Sequence, residues 1–185
     1  MKNRGLLFIV PPSLPIDDLT VTDNDHKGFG YITSSIPMGV LSLSSYVRKH
    51  TKTNVTIIDM NTHIRDEMKI TDKWEDFFKK VLIEKTKDKK IDLVGISAIF
   101  NVCAGYMKSI TTISKEVCNN PLVIAGGGLP SNLPEEVYEI APEIDAIAYS
   151  EGEKPLVRLL NSEDMIADLE QSNGWITKKS LEEKN

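Results

Sequence analysis

The residues with types suited to chemistry follow the ends of apolar segments and are mostly small. Ser97-Ala98-Ile99-Phe100-Asn101 follows one such segment, Gly126-Gly127-Gly128 follows another, and Glu151-Gly152-Glu153 follows a third. Glycine lets a backbone approach a large ligand closely, and its N–H groups can then face polar groups of that ligand. One glycine would serve the turn after a strand, so three in a row favour ligand contact.

Groups for self-contained redox or metal chemistry are scarce. The chain has two cysteines, Cys103 and Cys118, and three histidines at scattered positions, which are His26, His50 and His63. Two cysteines cannot form a disulfide framework, nor hold an iron–sulfur cluster or a zinc ion unaided. Neither has a neighbouring histidine, so we interpret both as packing residues. The sequence contains no phosphate-loop, dinucleotide or serine-nucleophile fingerprint.

Size and charge restrict the class of protein further. The 185 residues include 22 basic and 27 acidic ones, for a formal net charge of −5. A mildly acidic chain lacks the basic face that nucleic acid requires. The apolar stretch Leu6–Val10 ends at Pro11-Pro12 and is too short for a signal-peptide core or a spanning helix. We expect a cytoplasmic protein with free thiols and without nucleic-acid or membrane partners.

Short apolar runs alternate with longer amphipathic ones, as in a parallel sheet covered by helices. This alternation predicts a flavodoxin-like, doubly wound α/β fold with a five-stranded parallel sheet and helices on both faces. The predicted strands are Gly5–Val10, Val55–Ile58, Ile91–Ile96, Leu122–Ala125 and Ile144–Tyr149, with a possible edge strand at Gly174–Lys178. The predicted helices are Pro37–His50, Thr71–Lys87, Asn101–Cys118, Pro134–Ile140, Glu153–Leu160 and Ser162–Gln171. Ligands of such folds bind beyond the carboxyl ends of the strands.

Four segments resemble, in order, the cobalamin-binding N-terminal domain of radical-SAM enzymes. Residues 37–47, PMGVLSLSSYV, resemble that family's P-L-G-L-x-x-L-A-A-Y-L, and residues 92–97, DLVGIS, resemble D-x-V-G-I-S. Residues 124–137, IAGGGLPSNLPEEV, are similar to V-x-G-G-P-H-P-[ST]-x-x-P-E-E-x-L, and residues 145–153, DAIAYSEGE, to D-x-V-x-x-G-E-G-E. The match covers roughly residues 5–160, and four weak segments in register are together fairly specific.

The resemblance implies that residues 1–160 hold cobalamin over the carboxyl edge of the sheet, with the corrin on the loops and the nucleotide tail between sheet and helices. Ser97 would bond the tail, and Ala98, Ile99, Phe100 and Asn101 would lie under or beside the corrin. The residues that would line the corrin edge are Pro12, Ser13, Met38 and Gly39. Three glycines would let the tail pass close to the backbone, namely Gly126, Gly127 and Gly128. The far side of the tail pocket would be closed by Glu151, Gly152 and Glu153.

The chain departs from this family at positions that bear on the cofactor. Some cobalamin domains supply a lower cobalt ligand from Asp-x-His-x-x-Gly, but Asn24 and Phe29 flank His26 at those positions, so we expect no metal ligand there. His63 is an equally weak candidate. Leu129 stands where the family usually has Pro-His, and Ser150 replaces a glycine. These changes leave open a degenerate domain that serves recognition or assembly without a cofactor.

The cysteines that would bind a radical-SAM iron–sulfur cluster, C-x-x-x-C-x-x-C, are absent from this sequence. The resemblance therefore implies that S-adenosylmethionine and the cluster belong to a further domain, in cis or in trans, and that this chain alone catalyses nothing. Residues 161–185 are expected to form a C-terminal helix and a linker toward that domain. Methyl transfer is the commonest role implied. A flavodoxin-type or nucleotide-binding protein would explain the fold but not the four segments.

Overall fold

The computed structural model describes residues 2–15, 36–67, 73–149 and 151–183, which form one six-stranded sheet with helices on both faces. The strands are β1 (Gly5–Val10), β2 (Asn54–Asp59), β3 (Leu93–Ser97), β4 (Leu122–Gly126), β5 (Ala146–Ala148) and β6 (Trp175–Ile176). They lie in the order β2-β1-β3-β4-β5-β6. β1 to β5 pair in parallel, and β6 pairs with β5 in the antiparallel sense.

The flavodoxin-like prediction is confirmed, with one more strand than the five predicted. The sixth strand comes from the segment predicted as a possible edge strand. The helices are α1 (Met38–His50), α2 (Met60–Glu67), α3 (Trp74–Thr86), α4 (Ala104–Val117), α5 (Gly128–Asn132), α6 (Pro134–Ile140), α7 (Glu153–Asn161), α8 (Met165–Gln171) and α9 (Lys178–Glu182). A 3₁₀ turn over Asn101–Cys103 precedes α4. The helix predicted to begin at Thr71 begins at Trp74 in the structure, and Thr71 itself lies outside the described residues.

The sheet is buried on both faces, as the continuous apolar sequence of β1 requires. Leu6 and Phe8 face a layer formed by α1, α7 and α8. Leu7 and Ile9 face the opposite layer, which includes α3, α4 and α6. Successive side chains of a strand point to opposite faces, so one apolar run supplies both cores.

Two aspartates join the beginnings of neighbouring strands. The Asp92 carboxylate accepts hydrogen bonds from the N–H of Gly5 (2.8 Å) and from Lys90 (2.6 Å). Burial alone would raise the pKa of the Asp92 carboxyl, but these bonds outweigh it and hold the pKa below its ordinary value. Asp145 accepts in the same way from the N–H of Val123 (2.7 Å) and from Lys115 (2.9 Å). Both aspartates begin sequence segments of the family pattern, and their contacts here hold the sheet together.

The segment after α7 packs on the sheet. Arg4 donates to the carbonyl oxygens of Leu160 and Ser162, at 3.1 and 2.7 Å. The Tyr138 hydroxyl donates to the carbonyl of Ile176 at 2.8 Å, and Trp175 is 5% exposed. Among the described residues, no helix is long and apolar enough to cross a membrane.

Candidate functional site

The carboxyl ends of β1 and β3 lie side by side at the point where the chain diverges. After β1 the chain leads to α1 on one face of the sheet, and after β3 it leads to α4 on the other. Such a switch point opens a crevice in which doubly wound folds bind ligands. Ser97 ends β3 at this point, is half-buried, and makes no side-chain hydrogen bond to a described residue. No described residue therefore uses the hydrogen-bonding capacity of its hydroxyl.

The loops after β3 and β4 interlock through their backbones. The N–H of Ala98 donates to the carbonyl of Gly126 (2.8 Å), and the N–H of Leu129 donates to the carbonyl of Ala98 (3.1 Å). Gly127 has φ +109°, and a Cβ there would lie 2.6 Å from the Ala98 oxygen. A Cβ on Gly128 would lie 2.9 Å from the Ile99 oxygen. Backbone packing thus accounts for Gly127 and Gly128, whereas their contact with a nucleotide tail stays a prediction.

The interlocked loops leave large apolar side chains uncovered. Ala98 and Leu129 are buried, but Ile99 and Phe100 are 53% and 58% exposed. Seven of the ten large apolar side chains that are exposed in the described residues follow the ends of β3 and β5, lie between α5 and α6, or lie in the first turn of α1 and beside it. These seven, which we call the apolar edge, are Ile36, Met38, Leu41, Ile99, Phe100, Leu133 and Tyr149. A concentration of this kind marks a binding surface.

The loop after β1 is fixed to the end of β2 by a residue that sequence reasoning did not place in the site. Asn61, 7% exposed at the start of α2, accepts from the N–H (2.7 Å) and the hydroxyl (2.8 Å) of Ser13. Its amide nitrogen donates to the carbonyl of Pro11 and to Asp59, each at 3.0 Å. Asn61 therefore positions the loop that carries the predicted residues Pro12 and Ser13.

The α4 side holds the same loop at two further points. The Tyr106 hydroxyl donates to the carbonyl of Leu14 at 2.6 Å, and the Cys103 sulfur lies 4.0 Å from the carbonyl oxygen of Pro12. Burial raises the pKa of the Cys103 thiol, so the thiol stays protonated and is a poor nucleophile. The packing role predicted for Cys103 agrees with this environment.

On the other face, α1 meets the loop before α7 through Leu43. A Cβ on Gly152 would lie 3.4 Å from a methyl group of Leu43. Met38 and Gly39 are exposed at the start of α1, and nothing lies within 4 Å of a Cβ built on Gly39. Glu153, the first residue of α7, is half-buried. These predicted residues therefore share the carboxyl edge with Ser97.

Three predicted positions lie at the margin of this arrangement. Asn101 and Glu151 are exposed, and Gly126 is half-buried beside Ala148. Gly126 ends β4, and Asn101 and Glu151 follow the ends of β3 and β5, so the topology places all three at the same edge, but the structure gives no contact between them. Their roles stay predictions.

No metal site that involves a histidine is found among the described residues. His63 in α2 is half-buried, and burial together with Lys85 lowers its pKa, so it is neutral near pH 7. His26 lies outside the described residues, as does Ser150. Within the described ranges, no group of three His, Cys, Asp or Glu side chains could hold a metal ion.

Comparison with known proteins gives one family. A family model described as "B12 binding domain" matches residues 33–160, which is more than half of the chain. The matched residues run from just before α1 to within α7 and include the strand ends that carry Ser97 and Gly127. No curated protein gives a significant match.

Proposed function

The chain belongs to the B12-binding domain family, and from that membership we propose that it holds cobalamin at the carboxyl edge of its sheet. The apolar edge is the observation that carries this proposal. Its exposed Ile99 and Phe100 closely follow Ser97, whose hydroxyl has no hydrogen-bond partner among the described residues, at the switch point of the sheet. A site for a large flat cofactor needs this combination of apolar surface and few polar groups.

The residues present fit such a cofactor. In the proposed complex, Met38, Ile99 and Phe100 provide apolar contact area, and Ser97 provides a hydrogen bond to the nucleotide tail. Phe8 limits how far a ligand can enter between the sheet and α1, because its ring fills the space over Gly95, where a Cβ would lie 2.9 Å from a ring carbon. When bound, cobalamin supplies a cobalt ion that can carry and transfer a methyl group.

We further propose that the domain acts with a radical-SAM domain, in cis or in trans, in a methyltransferase-type enzyme. The support is the resemblance of four segments to that family's cobalamin domain. S-adenosylmethionine and the iron–sulfur cluster would bind to the other domain. The free thiols of Cys103 and Cys118 favour a reducing, cytoplasmic location. Reading the gene beyond the codon for Asn185, and its neighbours, tests the enzyme context, and the absence of C-x-x-x-C-x-x-C from all of them would contradict it.

A second candidate is a degenerate domain that serves recognition or assembly without a cofactor. Leu129, which replaces a polar position of the family, is 6% exposed and packs into the core. A buried leucine offers a ligand no polar contact, and this favours the second candidate.

Hydroxocobalamin separates the two candidates. The protein is mixed with excess hydroxocobalamin, freed of unbound ligand by gel filtration, and examined for the corrin absorption bands. We expect the bands to stay with the protein. If none stays with it at saturating ligand, the cofactor proposal is wrong and the second candidate stands.

Substitutions at the apolar edge then locate the binding surface. We expect I99S/F100S to weaken cobalamin binding by about tenfold or more, since each removes buried apolar contact area in the complex. The matched control is I140S on α6, which removes an apolar side chain that is 39% exposed away from this edge. Equal affinity of I99S/F100S and the control would remove Ile99 and Phe100 from the site.

A further inference from the structure

A second cleft lies at the opposite, amino edge of the sheet, among the beginnings of β1 and β2 and the loop before β3. Its volume is about 490 Å³, within the range of about 300 to 1,000 Å³ typical of small-molecule sites. Its charged lining residues are Arg4, Arg48, Asp88, Lys89 and Lys90. We propose that this cleft binds a small phosphate-bearing ligand.

The cleft is positively charged in a chain whose formal net charge is −5. Four cationic side chains line it against one carboxylate, Asp88. Lys90 is paired with Asp92, which lies outside the lining. Arg4, Arg48 and Lys89 form no ion pair within 4.0 Å of a described carboxylate. Arg4 interacts at longer range with the carboxylates of Asp92 and Glu163, so the cleft concentrates positive charge that the described carboxylates neutralise only in part.

Neutral acceptors hold these three cations in place. Arg48 donates to the carbonyl of Val55 (2.9 Å), and Lys89 donates to the carbonyl of Lys85 (2.7 Å). Arg4 donates to two carbonyls at the end of α7. A carbonyl orients a cationic group without cancelling its charge, and each guanidinium keeps further N–H donors. The cations are thus partly ordered before a ligand arrives, which lowers the entropic cost of binding.

Helix ends explain why these cations gather here. Arg48 lies in the last turn of α1, where basic residues stabilise the negative helix end. Lys89 donates to a carbonyl in the last turn of α3, and Arg4 donates to carbonyls at the end of α7. The proposal rests on their grouping in one cleft beside a buried hydroxyl. Thr53 also lines the cleft, is 6% exposed, and its hydroxyl has no hydrogen-bond partner among the described residues.

Phosphate suits this set of donors better than a single carboxylate. Guanidinium groups bind phosphate oxygens through paired N–H bonds, and lysines add point charges. A group of charge near −2 matches these three cations, none of which forms an ion pair with a described carboxylate. The cleft is larger than a phosphate ion, which leaves room for a small organic group beyond it.

The test uses inorganic pyrophosphate as the probe. Its binding to the whole chain is measured at low ionic strength by titration calorimetry and by amide chemical shifts. We expect saturable binding, with shifts concentrated at residues 53–56 and 88–91. We expect R48Q/K89Q to weaken binding by about tenfold or more, because hydrogen bonds to charged groups are among the stronger ones. Added salt should weaken binding in the wild-type protein.

The matched control is K108Q/K154Q, which removes the same charge from two exposed lysines outside the cleft. We expect it to bind pyrophosphate as the wild-type protein does. Absence of saturable binding, equal weakening by both double variants, or shifts spread outside the cleft would each overturn the proposal. Should R48Q/K89Q fail to fold, the shifts of the wild-type protein still decide it. Because the cleft is remote from the carboxyl edge, hydroxocobalamin binding by R48Q/K89Q tests the cofactor proposal separately.

Discussion

The two edges of the sheet are held together in different ways. At the amino edge, carboxylates join the beginnings of neighbouring strands, as Asp92 does for β1 and Asp145 does for β4. At the carboxyl edge, the loops after β3 and β4 meet backbone to backbone at Ala98 and Gly127, and exposed apolar side chains lie beside them. Charge fixes the first edge, whereas close backbone approach fixes the second and leaves apolar side chains free for a ligand.

This difference bears on how the sequence segments are interpreted. Asp92 and Ser97 belong to one segment of six residues, yet they lie at opposite ends of β3. Asp92 makes internal bonds, while Ser97 keeps its hydroxyl free of described partners. A family pattern can thus combine a residue that holds the sheet with one that we propose contacts the cofactor, and only the end of the strand distinguishes them.

Gly127 gives the largest expected effect on the carboxyl edge. G127A should lower the free energy of unfolding by about 3 kcal/mol, because φ +109° is unfavourable for alanine and the new Cβ would lie 2.6 Å from the Ala98 oxygen. Unfolding by denaturant measures this change in the free energy of unfolding. The control G105A lies in α4 with nothing within 4 Å of its Cβ, and it should stabilise by about 0.5–1 kcal/mol. Equal effects would show that the interlocked loops do not hold this edge.

Asp92 gives the next largest effect, on the amino edge. D92A should cost about 2 kcal/mol at pH 7, because it removes a carboxylate that accepts from Gly5 and Lys90. The fold lowers the pKa of Asp92, so its stabilisation is complete above the ordinary value of 3.8 and is lost as the pH falls through the lowered pKa. Urea unfolding of the wild-type protein and of D92A from pH 7 to pH 2 measures this loss of stability.

The amide in D92N can still accept from Gly5, so this variant should cost less than D92A. A difference between wild type and D92A that stays constant below pH 3 would contradict the charged role of Asp92.

Asn61 gives the smallest of the three effects. N61A should cost about 1–2 kcal/mol, since it leaves the Pro11 carbonyl and the Ser13 N–H without their partner. It should also speed hydrogen exchange at the Ser13 amide more than at amides of β3. N132A, which removes an exposed amide bonded to Gly128, is the control and should leave Ser13 unaffected. Unchanged exchange at Ser13 in N61A would show that other contacts position the loop.

Apolar runs were enough to predict the sheet, since β1 to β5 each contain residues buried at the centre of the fold. Three helices were not predicted, namely α2, α5 and α9, and α9 begins within the segment predicted as a possible edge strand. α2 follows β2 directly and is mostly polar, and it depends on Met60 and Ile64, both 0% exposed, which only tertiary packing identifies as core. α5 has the sequence GLPSN, in which glycine and proline favour a loop.

Site residues could be located from the sequence only where they lie at the predicted ends of strands. Ser97 and the three glycines could be located because parallel strands end at one edge. Asn61 follows the end of β2 and could be located in the same way, but its contact with Ser13 could not, because Ser13 lies 48 residues earlier in the chain and the bonds between them arise only when β1 and β2 pair. The interlocking of Gly127 with Ala98 was hidden for the same reason, since it joins two different loops.

The two tryptophans of the chain lie in different layers. Trp74 stacks on Phe78 at 5.5 Å in the layer of α3 and α4, and Trp175 of β6 lies in the layer of α1 and α7. Replacing either one with phenylalanine leaves a single tryptophan on a known face of the sheet. Intrinsic fluorescence can therefore follow the melting of each layer separately.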